Sequence, residues 1–260
     1  MDILEQIVER KKAIVAERKK IVPIPAMALS RYYAREVISL SDRLRAEDSS
    51  GIIAEFKRRS PSKGIINAKA EVPQVTNAYN KAGVAGLSVL TDTPFFSGVT
   101  DDLLAARAVN KIPILRKDFI IDEYQVYETK AMGADVMLLI AECLTKAEVK
   151  HLASVAKFIG LEIIMEIHSE EQLEKYTPDI DIIGVNNRNL KTFEVTIEQS
   201  KRLFDKLPNE VVKISESGIS EVKAILELKD VGYQGFLIGE NFMKTDNPGS
   251  ACEAFISQLK

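Results

Sequence analysis

Eight short apolar runs recur along the chain, each followed by ten or more residues of helical character, and this alternation limits the available folds more than any other feature. They read GIIAEFK, GLSVL, PILRKDF, ADVMLLIA, LEIIMEI, DIIGVNN, VVKISES and GFLIGE. Nearly continuous apolar runs suit strands buried on both faces, and strands alternating with helices build a parallel sheet covered by helices. Eight units can close that sheet into a (β/α)8 TIM barrel, and a chain of 260 residues has the size of one. Seven intervening segments can carry a crossover helix, and PGSACEAFISQLK supplies one after the last strand. An open doubly wound sheet is the competitor, but no strand is followed by the Gly-rich turn with which such sheets bind dinucleotides.

Ahead of the first strand, Ile3, Leu4, Ile7, Ile14 and Val15 recur at helical spacing with Lys, Arg and Glu between them. That pattern predicts a solvated amphipathic helix lying on its own domain. IVPIP interrupts it, and a second polar helix is expected over about residues 28–46. No linker or low-complexity tract divides the chain. We therefore expect one barrel domain over residues 1–260, of which 1–48 form an N-terminal helical extension.

A net charge of −3 lacks the basic excess of a nucleic-acid binder but leaves small acidic substrates open. Cys143 and Cys252 are too few and too far apart for a disulfide framework, which points to a reducing compartment. No apolar run reaches bilayer length and the N-terminus carries no signal-like apolar stretch, so a cytoplasmic location without membrane association is expected.

Chemistry in such a barrel sits at the C-terminal ends of the strands, where unusual polar residues collect. In GIIAEFKRRSPSKG, Ile53, Glu55 and Lys57 point one way and Ile52, Ala54 and Phe56 the other. Lys117 is in phase with Leu115 and Phe119, Glu166 with Ile164 and His168, Asn186 with Arg188, and Ser215 with Ser217. A snorkelling lysine, a surface pair or a turn-forming asparagine explains any one of these equally well. The same feature at one end of five strands favours a site. His168 reads as a loop or cap residue and His151 as a helix residue, so neither a metal site nor a Ser/His/Asp arrangement is expected. Gly218 and Gly239 follow strands seven and eight, where backbone N–H groups can cradle a phosphate, or where glycine simply serves a turn.

Taken in order, IIAEFKRRSPSKG, PILRKDFI, MEIH, IGVNNRNL, ISESGI and LIGENFM resemble the indole-3-glycerol phosphate synthase family from about residue 50 to 245. The resemblance implies ring closure of 1-(2-carboxyphenylamino)-1-deoxyribulose 5-phosphate with loss of carbon dioxide and water, without cofactor or metal. It implies Lys117 as general acid and Glu166 as the general base or acid partner in dehydration. Lys57 and Glu55 would assist, Asn186 and Arg188 would orient the substrate, and Ser60 with Arg188 would hold its carboxylate. Lys57, Ser217, Gly218, Gly239 and Glu240 would surround the phosphate, and Phe96, Phe119 and Leu138 would wall the anthranilate ring. Which of Glu55 and Glu166 performs each proton transfer stays open. Three stretches depart from the family pattern: RRSPSKG replaces KASPSKG, Asn187 stands where Ser or Thr is common, and Glu240 follows the phosphate glycine. The partner implied is the small phosphorylated substrate, with a monomer expected and weak association with other tryptophan-pathway enzymes left open. A phosphoribosylanthranilate isomerase would need a Cys at the end of strand one, and a non-catalytic barrel would lack Lys117 or Glu166.

Overall fold

The alternation of apolar runs and helices becomes a closed barrel in the computed structural model, which describes residues 2–189 and 194–259. Its strands are β1 (Ile52–Phe56), β2 (Gly86–Leu90), β3 (Ile114–Lys117), β4 (Val136–Ile140), β5 (Glu162–Ile167), β6 (Ile182–Asn186), β7 (Val212–Glu216) and β8 (Gly235–Ile238). Neighbours in the barrel are neighbours in the chain, every pairing is parallel, and β8 closes on β1. All eight apolar runs therefore form the strands they predict. Leu190, the last residue of the IGVNNRNL motif, lies outside the described residues.

The two-residue period of the strands divides the core. Ile53, Leu115, Val136, Leu138, Ile164, Ile182, Val212, Ile214 and Leu237 fill the barrel interior. Ile52, Ala54, Phe56, Leu87, Val89, Ile163, Met165, Ile183 and Val185 face the surrounding helices. Among the described residues no helix is long and apolar enough to cross a membrane.

The chain before β1 begins with α1 (Ile3–Ile21), capped by Asp2 and Glu5 in a reciprocal box. The expected helix over 28–46 is not there. That segment runs through turns to residue 35 and becomes helical only at α2 (Leu40–Arg45). Tertiary bonds override the polar helical pattern, because the segment is tied down residue by residue. Arg35 and the Ile38 N–H both bind the buried Asp135 carboxylate, at 2.6 and 2.7 Å, and Arg107 holds its other oxygen. Leu40 and Leu44 of α2 enter the interior cluster and close the N-terminal end of the barrel.

Two of the connections are also shorter than the pattern predicts. The link after β5 is a six-residue 3-10 turn, Glu170–Lys175, and Thr177–Pro178 just beyond it disfavours further helix. After β6 the helix is only Glu198–Leu203. A small antiparallel ribbon, Arg59–Ser60 against Gly64–Ile65, rises from the loop after β1.

The first residue of β5 anchors the plug. Glu162 accepts the N–H groups of Leu40 and Ser41 at 2.6 and 3.1 Å and the hydroxyls of Ser39 and Ser41 at 2.6 Å each. A carboxylate there satisfies the first free donors of a helix and meets the positive end of its dipole. Glu162→Ala is expected to cost about 3 kcal/mol of folding stability, since bonds to a charged acceptor are the strong ones. Urea unfolding measures this, and an unchanged midpoint would show that the plug does not depend on Glu162.

Candidate active site

At the C-terminal ends of the strands, the interior-facing positions stop being apolar. β1 contributes Glu55, β3 Lys117, β5 Glu166, β6 Asn186 and β7 Glu216, each continuing the inward alternation of its strand. The Lys117 ammonium lies 2.5 Å from Glu166 Oε2 and 3.3 Å from Glu216 Oε2. Asn186 donates through Nδ2 to Glu166 Oε1 at 2.9 Å. Lys57, just past β1, is 2.7 Å from Glu55 Oε1, and Ser88 donates to the other Glu55 oxygen at 3.3 Å. Lys57, Lys117, Glu166, Glu55 and Asn186, far apart in sequence, are thus brought to one mouth.

Two glycines make room for it. A Cβ at position 184 would collide with Glu216 Oε1, and one at position 239 would lie 2.7 Å from Glu55 Oε1. Gly184 and Gly239 let neighbouring strands approach carboxylates that are themselves held by ammonium groups.

Burial would strip the Lys117 ammonium of its proton, but Glu166, Glu216 and Glu55 outweigh that penalty and raise its pKa. Burial likewise opposes an ionised Glu166, yet Lys117, the nearby His168 ring and the bond from Asn186 hold its carboxyl below the usual range. Glu216 moves the opposite way. Burial and the charges of Glu166 and Glu55 push it up against the weaker pull of Lys117, and its Oε1 has no hydrogen-bond partner among the described residues. Two ammonium groups face three carboxyls, and Glu216, the least well paired of them, is the one pushed toward the protonated form. The mouth therefore presents a charged donor, a neutral donor and a carboxylate acceptor together, the equipment for acid–base work on a carbonyl or hydroxyl.

Glu216 was not among the residues singled out in the sequence. Val212, Ile214 and Glu216 share the inward face of β7, whereas Ser215 faces the helices. There Ser215 Oγ accepts from Asn187 Nδ2 at 2.9 Å and sits 2.8 Å from Ser200 Oγ. The expected in-phase pairing of Ser215 with Ser217 at the mouth is thus wrong, because Ser217 leaves the strand with a left-handed φ of 68°. The signal was available: ISES carries one acid, on the parity of the interior aliphatics. His168 lies in the loop between β5 and the Glu170–Lys175 turn, as expected, but it is largely buried with Nε2 3.5 Å from Glu166 Oε1, and burial lowers its pKa toward the neutral ring.

The remaining candidates surround this cluster. Phe96 and Phe119 form a tilted pair with centroids 6.1 Å apart. Leu138 belongs to the interior cluster, against which Phe119 also packs. Ser60 lies in the ribbon after β1 and accepts from the Lys63 N–H at 3.3 Å. Arg188 follows β6, its N–H bound to Asn186 Oδ1 at 3.0 Å. Ser217 and Gly218 are consecutive left-handed residues, φ 68° and 75°, a backbone curl of the kind that gathers N–H groups into a concave nest. Glu240 opens the short helix Glu240–Met243, its carboxylate 3.9 Å from the Lys63 ammonium of the opposite loop. Asn187, where the family often has Ser or Thr, is buried and ties Ser215, Ser200 and the Ser217 carbonyl together. The Cys143 and Cys252 thiols are each pushed up to about 12 by burial and are not activated. Among the described residues no three His, Cys, Asp or Glu side chains are placed to hold a metal.

Fold and mouth together define an α/β-barrel protein with an acid–base cluster of lysines and glutamates. Solved barrels share the fold alone: tryptophan synthase subunit alpha from Legionella pneumophila superposes with a TM-score of 0.62 at 14% identity, covering 85% of this chain and 95% of that one. Thiamine phosphate pyrophosphorylase from Pyrococcus furiosus does so with a TM-score of 0.61 at 16% identity, covering 85% and 99%. Sequence likeness goes further. The family model for indole-3-glycerol phosphate synthase matches residues 4–255. The indole-3-glycerol phosphate synthase of Bacteroides thetaiotaomicron is 44% identical over 100% of this chain and 99% of its own length. That of Polaromonas naphthalenivorans is 42% identical over 96% and 97%. The chain belongs to the indole-3-glycerol phosphate synthase family, whose members are carboxy-lyases of tryptophan biosynthesis.

The raised pKa of Glu216 makes a pH prediction. Its folded pKa is raised, so its stabilising state is the protonated one, fully present below the unfolded value and lost as pH rises through the folded value. Glu216→Gln, which mimics the protonated carboxyl, is expected to be more stable than the native protein at about pH 8, the difference fading toward about pH 4. Denaturant unfolding across that range checks it. A difference independent of pH would show that Glu216 is ionised like its neighbours.

Proposed function

We propose that this enzyme closes 1-(2-carboxyphenylamino)-1-deoxyribulose 5-phosphate to indole-3-glycerol phosphate, releasing carbon dioxide and water. The observation that carries the reading is the Lys117 ammonium, buried between Glu166 and Glu216 in a mouth beside the Phe96–Phe119 pair. The ring carbon bearing the carboxylate attacks the substrate ketone, and Lys117 gives its proton to the oxygen as negative charge develops there. An alkoxide is far more basic than an ammonium, so Lys117 donates readily although its carboxylate neighbours keep it charged beforehand. Carbon dioxide then leaves, and its electron pair restores the aromatic ring. In the last step the hydroxyl departs as water after taking a proton, and a carboxylate removes a proton from the adjacent carbon. Glu166, held ionised, suits the base, and Glu216, held protonated, suits the donor. Glu55 and Lys57 support the charge balance.

Binding divides between the two ends of the substrate. Lys57, Ser217, Gly218, Gly239 and Glu240 receive the phosphate, Glu240 through its backbone N–H with its carboxylate turned toward Lys63. Ser60 and Arg188 take the carboxylate, Asn186 orients the ring-closing centre, and Phe96, Phe119 and Leu138 enclose the aromatic ring. Anchoring both ends of a flexible chain offsets the entropy of folding it back on itself.

The chain has no Trp, so indole formed from this substrate is read by fluorescence without a protein indole background. The purified enzyme should generate that signal, and Lys117→Ala should lower turnover by about 10³-fold or more while its circular dichroism stays native. No turnover by the native enzyme would refute the reaction, and undiminished turnover by the variant would refute the acid.

A further inference from the structure

The buried stripe of α1 is Ile7, Lys11 and Val15, so an ammonium group occupies the middle of an otherwise apolar seam. Lys11 Nζ lies 2.7 Å from Asp92 Oδ1 and 2.6 Å from Asp118 Oδ1, and all three side chains are at least 95% buried. Both carboxylates belong to active-site loops. Asp92 follows β2 and accepts the Phe95 N–H at 3.0 Å, capping the helical turn that carries Phe96. Asp118 immediately follows Lys117 and accepts the Phe119 N–H at 2.8 Å. Its second oxygen is held by Thr91 at 2.6 Å and by the fully buried Arg116 at 3.0 Å. Lys11 thus bridges Asp92 and Asp118, the carboxylates of the two loops from which the phenyl rings hang, on the side opposite the link that Thr91 and Arg116 make to the second Asp118 oxygen. Without it, Asp118 would keep Arg116 and Thr91, but Asp92 would be a buried carboxylate without its ammonium partner beside a second carboxylate, which favours movement of the Asp92 loop away from Asp118.

We infer that Lys11 is a positioning residue: by clasping Asp92 and Asp118 it sets the spacing of Phe96 and Phe119, and so the affinity for the aromatic end of the substrate. This rests on the proposed reaction for its substrate, but the clasp itself is independent of it. The phosphate end lies on other loops and is not set by Lys11.

The test combines kinetics with amide exchange. Lys11→Met should raise KM for the carboxyphenylamino substrate about tenfold or more, change kcat less than about threefold, and leave competitive inhibition by inorganic phosphate within about twofold of native. Lys11→Arg should restore most of the loss. In a Phe96→Leu background the effect of Lys11→Met on KM should largely vanish, because the lysine acts through that ring. Hydrogen exchange at the Phe95 and Phe119 amides should accelerate in Lys11→Met. If Lys11→Met does not fold, Lys11→Met/Asp92→Asn removes one charge of each sign and takes its place. Unchanged exchange at both amides overturns the clasp, even if the native protein shows no ring closure. Accelerated exchange with unchanged KM, or parallel weakening of substrate and phosphate, overturns its role in ring recognition.

Discussion

The structure is organised around an ammonium group that cannot be left alone. Lys117 is placed inside a barrel whose lower interior is aliphatic, and a lone cation there would shed its proton. Three carboxyls converge on it from β1, β5 and β7, and each can do so only because closure brings strands distant in sequence together. Carboxyls packed so closely repel one another, and their pKa values separate. Glu166, the best paired, is pushed down and Glu216, the worst paired, is pushed up. One electrostatic constraint thereby drives two neighbouring carboxyls in opposite directions.

Charge is managed differently outside the barrel. Arg116, the neighbour of Lys117 on β3, points away from the mouth and is fully enclosed between the strand and helix Glu123–Ala131, bound to Glu128, Asp118, Thr91 and the Thr129 hydroxyl. Together with Lys11, this outer network grips the backbone on either side of Lys117. The segment before β1 is therefore more than a cover. It plugs the N-terminal end through α2 and Glu162, fastens the flank through Asp135, and reaches the loops of the opposite end through Lys11.

Much of this was legible in the sequence because it follows from period. The eight strands were readable from apolar runs, and strand parity carried Glu55, Lys117 and Glu166 to the mouth. Parity failed where the backbone stops being a strand: the left-handed Ser217 broke the alternation that had seemed to join it to Ser215, and Glu216 was hidden behind that reading. The stretch 28–46 looked helical because its polar and apolar residues are spaced so, but its polar groups are spent on Asp135 and Glu162 instead. Lys11 was unreadable for a related reason. A lysine at a helix position is ordinarily solvated, and only the fold supplies the two aspartates, 81 and 107 residues further along the chain, that let it be buried.

The central claim is that the carboxyls around Lys117 occupy different protonation states in the resting protein. Carbon-13 NMR of glutamate side-chain carboxyls, followed through pH and assigned by Glu166→Gln and Glu216→Gln, measures this directly. The account predicts one carboxyl titrating well below the ordinary glutamate range and another well above it, both moving back toward that range in Lys117→Met. If both titrate as ordinary exposed glutamates, or are insensitive to loss of the ammonium, the charge balance described for this mouth is wrong.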